Sequence, residues 1–172
     1  ALFPVKGREV EAAVLFIDIS GFSRRTLDLT PTETLIYVNN FFTWVTTEGL
    51  RNRPGIVDKY IGDAIMAVYG APLPHPDHPM QACMTAIDMM AELDRLILRW
   101  KTMGRPALSI RIGINTGYAA VGNMGSKKRL DYTVMGDAGN LASRLENLNK
   151  QYETTCLGTE YTYRRVKDDI AF

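Results

Sequence analysis

The sequence predicts an α+β fold. Its core is a ferredoxin-like βαββαβ arrangement with an antiparallel-rich sheet, followed by a C-terminal strand and helix. Three observations carry this. Ala12 to Ile19 form an apolar run, interrupted by Asp18, that reads as a buried central strand. Ile56-Val57 and Ile65 to Val68 flank Lys59-Tyr60-Ile61-Gly62-Asp63-Ala64, which reads as two strands about a tight turn, with Gly62 able to supply positive φ. Two long segments, from Thr30 and from Met80, carry apolar residues at helical spacing.

In chain order, the residues before Glu9 read as a loose lead-in to the first strand. Ser20-Gly21-Phe22-Ser23 is a short turn that can present backbone N–H groups to phosphates. The first helix opens at Thr30 as N-cap, with Pro31 in the first helical position and Glu33 completing a capping box. Leu35, Val38, Phe41, Phe42 and Val45 make its apolar stripe, and Gly49 ends it. After the hairpin, Pro72 to Pro79 form a proline-rich loop with His75 and His78. The prolines disrupt a helical face and no third ligand is evident, so a solvated loop is favoured over a metal site. A second helix follows to Met103. Leu108 to Thr116 alternates as a strand, and Gly117 to Gly122 reads as a second strand of another hairpin. Asn123 to Arg129 reads as a polar loop, and Tyr132 to Met135 is extended. Gly136-Asp137 turns into a helix ending near Asn149. Thr154 to Leu157 is a last strand, and Thr159 caps a short helix with Arg164, Arg165 and Lys167 near its C-terminal end. The sheet is expected to carry its helices on one face.

The 172 residues suit one domain, 1–172, with 46% apolar and 23% charged residues, large enough to fold without a disulfide or metal staple. The net charge of +1 offers no global attraction to nucleic acid or acidic lipid, so any anion site must be local. Cys83 and Cys156 lack metal-ligand spacing and read as reduced thiols in a cytoplasmic setting. No apolar run approaches the ~18 residues of a membrane span, so no direct membrane contact is expected. The chain starts at Ala1 rather than Met, and we expect a domain cut from a larger protein.

Two acids matter together. Asp18 ends the first strand and Asp63 follows the hairpin turn; in a βαββαβ sheet these strands are neighbours. Two carboxylates a few ångström apart repel unless cations lie between them. Hard oxygen ligands suit two Mg²⁺ or Mn²⁺ ions bound jointly with substrate phosphates, a two-metal phosphoryl-transfer site. On the late helix, Asn140 and Arg144 are four apart on one face, and an arginine there can brace a phosphate.

Phe16-Ile17-Asp18-Ile19-Ser20-Gly21-Phe22-Ser23, Lys59-x-x-Gly62-Asp63-Ala64 and Tyr132-x-x-Met135-Gly136-Asp137-Ala138-x-Asn140-x-Ala142-Ser143-Arg144 together resemble the catalytic domain of class III nucleotide cyclases. The resemblance covers nearly the whole chain. It implies an adenylyl cyclase working as a head-to-tail homodimer, with ATP bound at the interface. Asp18 and Asp63 of one subunit would hold the metals, helped by the Ile19 carbonyl. Lys59 and Thr133 of the other would read the base, Asn140 would orient the ribose, and Arg144 would stabilise charge on the α-phosphate. Phe22, in the turn after the first strand, is a substrate-binding candidate. Lys127, Lys128 and Arg129 are candidates for the β- and γ-phosphates, with an exposed loop as the alternative.

Adenine offers an acceptor at N1 and a donor at N6; Lys59 suits the first and the Thr133 hydroxyl the second. Guanine would want a carboxylate where Lys59 stands. Because a hydroxyl can donate or accept, discrimination is expected to rest mainly on Lys59. Thr133 resembles the bacterial and soluble-type subgroup. Gly139 departs from the aliphatic residue usual in the family, and the chain stops at Phe172, before the final strands usual there. The alternatives are a non-catalytic nucleotide-binding or dimerisation module and, against the evidence of Lys59, a guanylyl cyclase.

Overall fold

The apolar run at 12–19 becomes the middle of the sheet, as its composition requires. The computed structural model describes residues 7–126 and 128–172. The lead-in before Gly7 and the Lys127 candidate lie outside the described residues. The elements, in order, are β1 (Arg8–Ile19), α1 (Phe22–Arg25), α2 (Pro31–Trp44), β2 (Gly55–Ile61), β3 (Ala64–Tyr69), α3 (His78–Thr102), β4 (Ile110–Ser126), β5 (Arg129–Met135), α4 (Asp137–Tyr152), β6 (Cys156–Gly158) and α5 (Glu160–Val166). The sheet order is β2-β3-β1-β4-β5, with β6 pairing parallel to β4 and the other pairs antiparallel. The first four strands thus take the ferredoxin-like order.

Local chemistry sets several boundaries. Thr30 and Glu33 form the capping box at the start of α2, with Pro31 at its first position. The helix runs on through a π-turn at Val45–Gly49, which the sequence does not announce. Gly62 has φ 61° in the β2–β3 turn, as expected. No helix among the described residues is long and apolar enough to cross a membrane.

Two features differ from the sequence reading. The 108–116 and 117–122 segments are one strand, β4, without a turn at Gly117. It pairs with β1 continuously from Ile110 to Val121, so that partner keeps the chain extended. The supposed polar loop at 123–129 is then the far end of a hairpin in which Asn123 to Ser126 pair with Arg129 to Tyr132. Helices also cover both faces. Ala13, Leu15, Ile17 and Ile19 pack with α2 and α3, whereas Ala12, Val14 and Phe16 pack with Ala138 and Ala142 of α4. Burial on both sides is why β1 shows a continuous apolar run rather than an alternating one.

Helix α4 sits unusually close to the sheet. At Gly113 a Cβ would lie 2.2 Å from the Ala142 carbonyl oxygen and 2.4 Å from the Glu146 backbone nitrogen. Asn149 donates to the Ile112 carbonyl at 2.8 Å, and Asn115 donates to the Ala138 carbonyl at 3.1 Å. These contacts fix α4, and with it Asn140, Ser143, Arg144 and Glu146, against β4.

Candidate active site

Asp18 stands near the C-terminal end of β1, directly opposite Arg111 of β4 in the register. Arg111 Nη2 donates to Asp18 Oδ2 at 3.0 Å and Nε donates to Oδ1 at 3.3 Å, a two-pronged grip. Glu146 reaches the same guanidinium from α4, with Oε1 2.9 Å from Nε, but accepts no well-aligned hydrogen bond there. Burial raises the Glu146 carboxyl to about 8, helped by its contact with Asp18, while Arg111 opposes the rise. Burial also raises Asp63; its own backbone N–H pulls the other way, and the Asp18 charge pushes it further up.

Asp18, Ile19, Ser20, Gly21, Phe22 and Asp63 line one cavity of about 550 Å³, together with Arg111 and Lys150. Its wall holds two carboxylates and a loop of backbone groups. The loop is held by Arg25, which donates to the Ser20 carbonyl at 2.8 Å and to the Ala107 carbonyl at 3.1 Å. The mutual repulsion of Asp18 and Asp63 is what a hard divalent cation would relieve, so the donor set fits Mg²⁺ or Mn²⁺. Phe22 contributes to this wall while its ring stacks near Tyr37, at 6.5 Å between centroids.

The second cavity, of about 380 Å³, shares no lining residue with the first. Phe16, Lys59, Met66, Gly136, Gly139 and Asn140 are among its walls. Lys59 Nζ donates to Thr133 Oγ1 at 2.7 Å, uniting the two residues singled out as base readers from opposite edge strands, β2 and β5. Beneath them is Asp58, whose Oδ2 accepts from the Thr133 hydroxyl at 3.1 Å and whose Oδ1 accepts from the Val134 backbone N–H at 3.1 Å. Arg144 is exposed one helical turn beyond Asn140.

Lys128 and Arg129 are not brought to either cavity. They sit at the tip of the β4–β5 hairpin, where Arg129 pairs with Asp131 at 3.3 Å. The histidine loop is ordinary: His78 is buried at the start of α3 with its Nδ1 2.6 Å from the His75 carbonyl. Asp58, Arg111 and Glu146 escaped the sequence reading. Glu146 did leave a trace, since it continues the small-residue stripe of Ala138 and Ala142 at helical spacing and so had to face the sheet.

Residues 5–170 match the adenylate and guanylate cyclase catalytic domain. The chain belongs to that family. It is 33% identical over 162 residues to adenylate cyclase 1 of Rhizobium meliloti, covering 94% of this chain and 24% of that protein. The chain therefore spans about a quarter of that curated relative's length. Its fold is similar to the adenylyl cyclase CyaB of P. aeruginosa, with TM-score 0.86, 31% identity, and coverage of 97% of this chain and 85% of that one. It is also similar to a guanylyl cyclase structure, with TM-score 0.84, 28% identity, and coverage of 96% and 82%. This is thus a nucleotidyl cyclase catalytic domain, and the family likeness alone embraces both purines.

Proposed function

We propose that the chain is the catalytic domain of an adenylyl cyclase that converts ATP to 3′,5′-cyclic AMP and pyrophosphate, at sites shared by two copies. The observation that carries this is the division of the residues between two cavities. The acidic group, Asp18 and Asp63, lines one; Lys59 and Asn140 line the other, with Thr133 bonded to Lys59 at its wall. A substrate needing both groups would find them by lying between one copy's acids and its twin's base readers. Exposed apolar residues on the β4–β5 hairpin, Met124, Leu130, Tyr132 and Met135, favour such pairing.

In this mechanism Asp18, Asp63 and the Ile19 carbonyl would hold two Mg²⁺ or Mn²⁺ ions. Such ions, when bound, activate the 3′-hydroxyl and neutralise charge on the phosphates. The turn at Ser20 to Ser23, Phe22 included, offers backbone N–H groups to the triphosphate. From the other copy, Lys59 donates to adenine N1, Thr133 accepts from N6, and Asn140 orients the ribose. Arg144 stabilises charge on the α-phosphate as the 3′-oxygen attacks and pyrophosphate leaves. Lys128 and Arg129 are assigned no role in this reading, because neither lines a cavity of its own copy. The threonine at position 133 is what supports likening the chain to the bacterial and soluble-type subgroup in this reading.

The test is complementation in the protein that carries this domain. Asp18→Ala and Arg144→Ala should each be inactive and regain cyclic AMP formation when mixed. Failure to recover, with both variants folded and able to associate, would sink the shared-site reading. Faster turnover of GTP than ATP would replace adenylyl by guanylyl cyclase.

A further inference from the structure

Asp58 lies outside the motifs that announce the site, yet its carboxylate has a specific set of partners. Its side chain is 1% exposed. A carboxylate so buried is costly unless donors surround it. Three do: the Val134 N–H on Oδ1, and the Thr133 hydroxyl and the Lys59 ammonium on Oδ2, each at 3.1 Å. The backbone explains how neighbours in sequence meet the same residue. The β2–β3 register shifts between Val57 and Lys59, so Asp58 is the extra residue of a bulge. In a regular strand Asp58 and Lys59 would point to opposite faces; the bulge re-aims them.

The donor and acceptor inventory then closes. A lysine ammonium only donates and a carboxylate only accepts. A threonine hydroxyl has one hydrogen, and here it goes to Asp58. Lys59 takes one lone pair of Thr133 Oγ1. What remains on that oxygen is an acceptor.

We propose that Asp58 is a positioning residue for base selection: by holding the hydroxyl hydrogen of Thr133 it makes that residue an acceptor, fitted to the 6-amino group of adenine and not to the 6-oxo group of guanine. This rests on the adenylyl cyclase reading above. The expectation that a freely turning hydroxyl leaves discrimination to Lys59 gives way to a device of three side chains. Adenine presents N6–H to a lone pair. Guanine would set O6 against an oxygen whose hydrogen is already committed, leaving both unpaired.

The experiment measures kcat/KM for ATP and for GTP in the protein carrying this domain. The variants are Asp58→Asn, Thr133→Ser, Thr133→Val and the Asp58→Asn/Thr133→Val double. Asp58→Asn keeps an oxygen for Val134 N–H and can turn an amide N–H₂ toward Thr133, which releases the hydroxyl hydrogen. The ATP:GTP ratio should fall about tenfold in Asp58→Asn, hold in Thr133→Ser, and fall in Thr133→Val. In the Thr133→Val background, Asp58→Asn should change the ratio by less than about twofold, because the hydroxyl it acts through is gone. Equal losses on both nucleotides in Asp58→Asn would mean a merely structural role and overturn the proposal. So would an undiminished effect of Asp58→Asn in the Thr133→Val background. If Asp58→Asn does not fold, equal ratios in Thr133→Ser and Thr133→Val overturn it instead. A wild type that fails to prefer ATP overturns the adenylyl cyclase reading and this inference together; a wild type that prefers ATP, with the ratio unchanged in Asp58→Asn, overturns this inference alone.

Discussion

Adding one methyl group at Gly113 should dislodge the helix on which half the site is built. The Cβ of Gly113→Ala would meet the Ala142 carbonyl oxygen at 2.2 Å and the Glu146 backbone nitrogen at 2.4 Å. Ordinary van der Waals contact begins near 3.4 Å. The obstruction is backbone on both counts, so no side chain can swing aside. Helix α4 must retreat by roughly 1 Å, which strains the Asn149 and Asn115 hydrogen bonds that seat it. Overpacking costs about 1–3 kcal/mol and each weakened buried hydrogen bond about 1 kcal/mol more, so a loss of about 2–5 kcal/mol is expected. That is a large part of the ~5–15 kcal/mol that holds a domain folded.

Urea denaturation followed by circular dichroism reads the effect as a midpoint lowered by about 1–3 M, taking the usual urea slope of ~1–3 kcal/mol/M. Turnover of the folded fraction should drop about a hundredfold, because Asn140 and Arg144 ride on the displaced helix. Gly117→Ala on the same strand is the control. Its Cβ would meet nothing nearer than 3.7 Å, and the midpoint should barely move. Wild-type stability and turnover in Gly113→Ala would show that α4 does not rest on β4 by backbone contact, and the account of how the site is positioned would fail.

Glu146 gives a pH prediction. Its folded-state carboxyl lies near 8, above the ordinary 4.5, so the native state binds the proton more tightly than the unfolded chain. The stabilisation is full below about pH 4.5 and is lost as pH rises through about 8. With a chelator present, wild type should lose up to about 5 kcal/mol across this window, and Glu146→Gln should flatten the loss; parallel pH curves would refute the assignment. Thr30→Ala removes the capping box of α2 and should cost about 1 kcal/mol in chemical denaturation, with turnover per folded molecule unchanged. Gly139→Ala should stabilise by about 0.5–1 kcal/mol, read as a higher Tm, since the added Cβ meets only the flexible end of Met66, at 3.3 Å from Cε. A lower Tm there would mean that Met66 cannot yield.

The sequence was most readable where chemistry is local. The Thr30 cap and the Gly62 turn depend on neighbours within a few residues, and each takes the expected form. Gly117 misled because glycine marks turns in isolation, whereas here continuous pairing with β1 carries the strand straight through it. The site divides in the same way. The motifs name Asp18, Asp63, Lys59 and Thr133; the first three line the two cavities, and Thr133 is buried behind Lys59, which donates to it. Arg111 and Asp58 draw their importance from partners across the sheet, Asp18 in one case and Thr133 with Val134 in the other, which only the register and the bulge bring near. Lys128 and Arg129, phosphate candidates by charge with an exposed loop as the alternative, lie on the extended β4–β5 hairpin, away from both cavities of their own copy.

The bulge at Asp58 ties recognition to endurance. The carboxylate that we propose governs how Thr133 meets a purine also latches one rim of the sheet to the other through the Val134 amide. Replacing it with a residue that cannot accept would both blur the choice of nucleotide and unfasten the rims. A lineage drifting toward the other purine would therefore have to find a new latch before, or together with, a new reader.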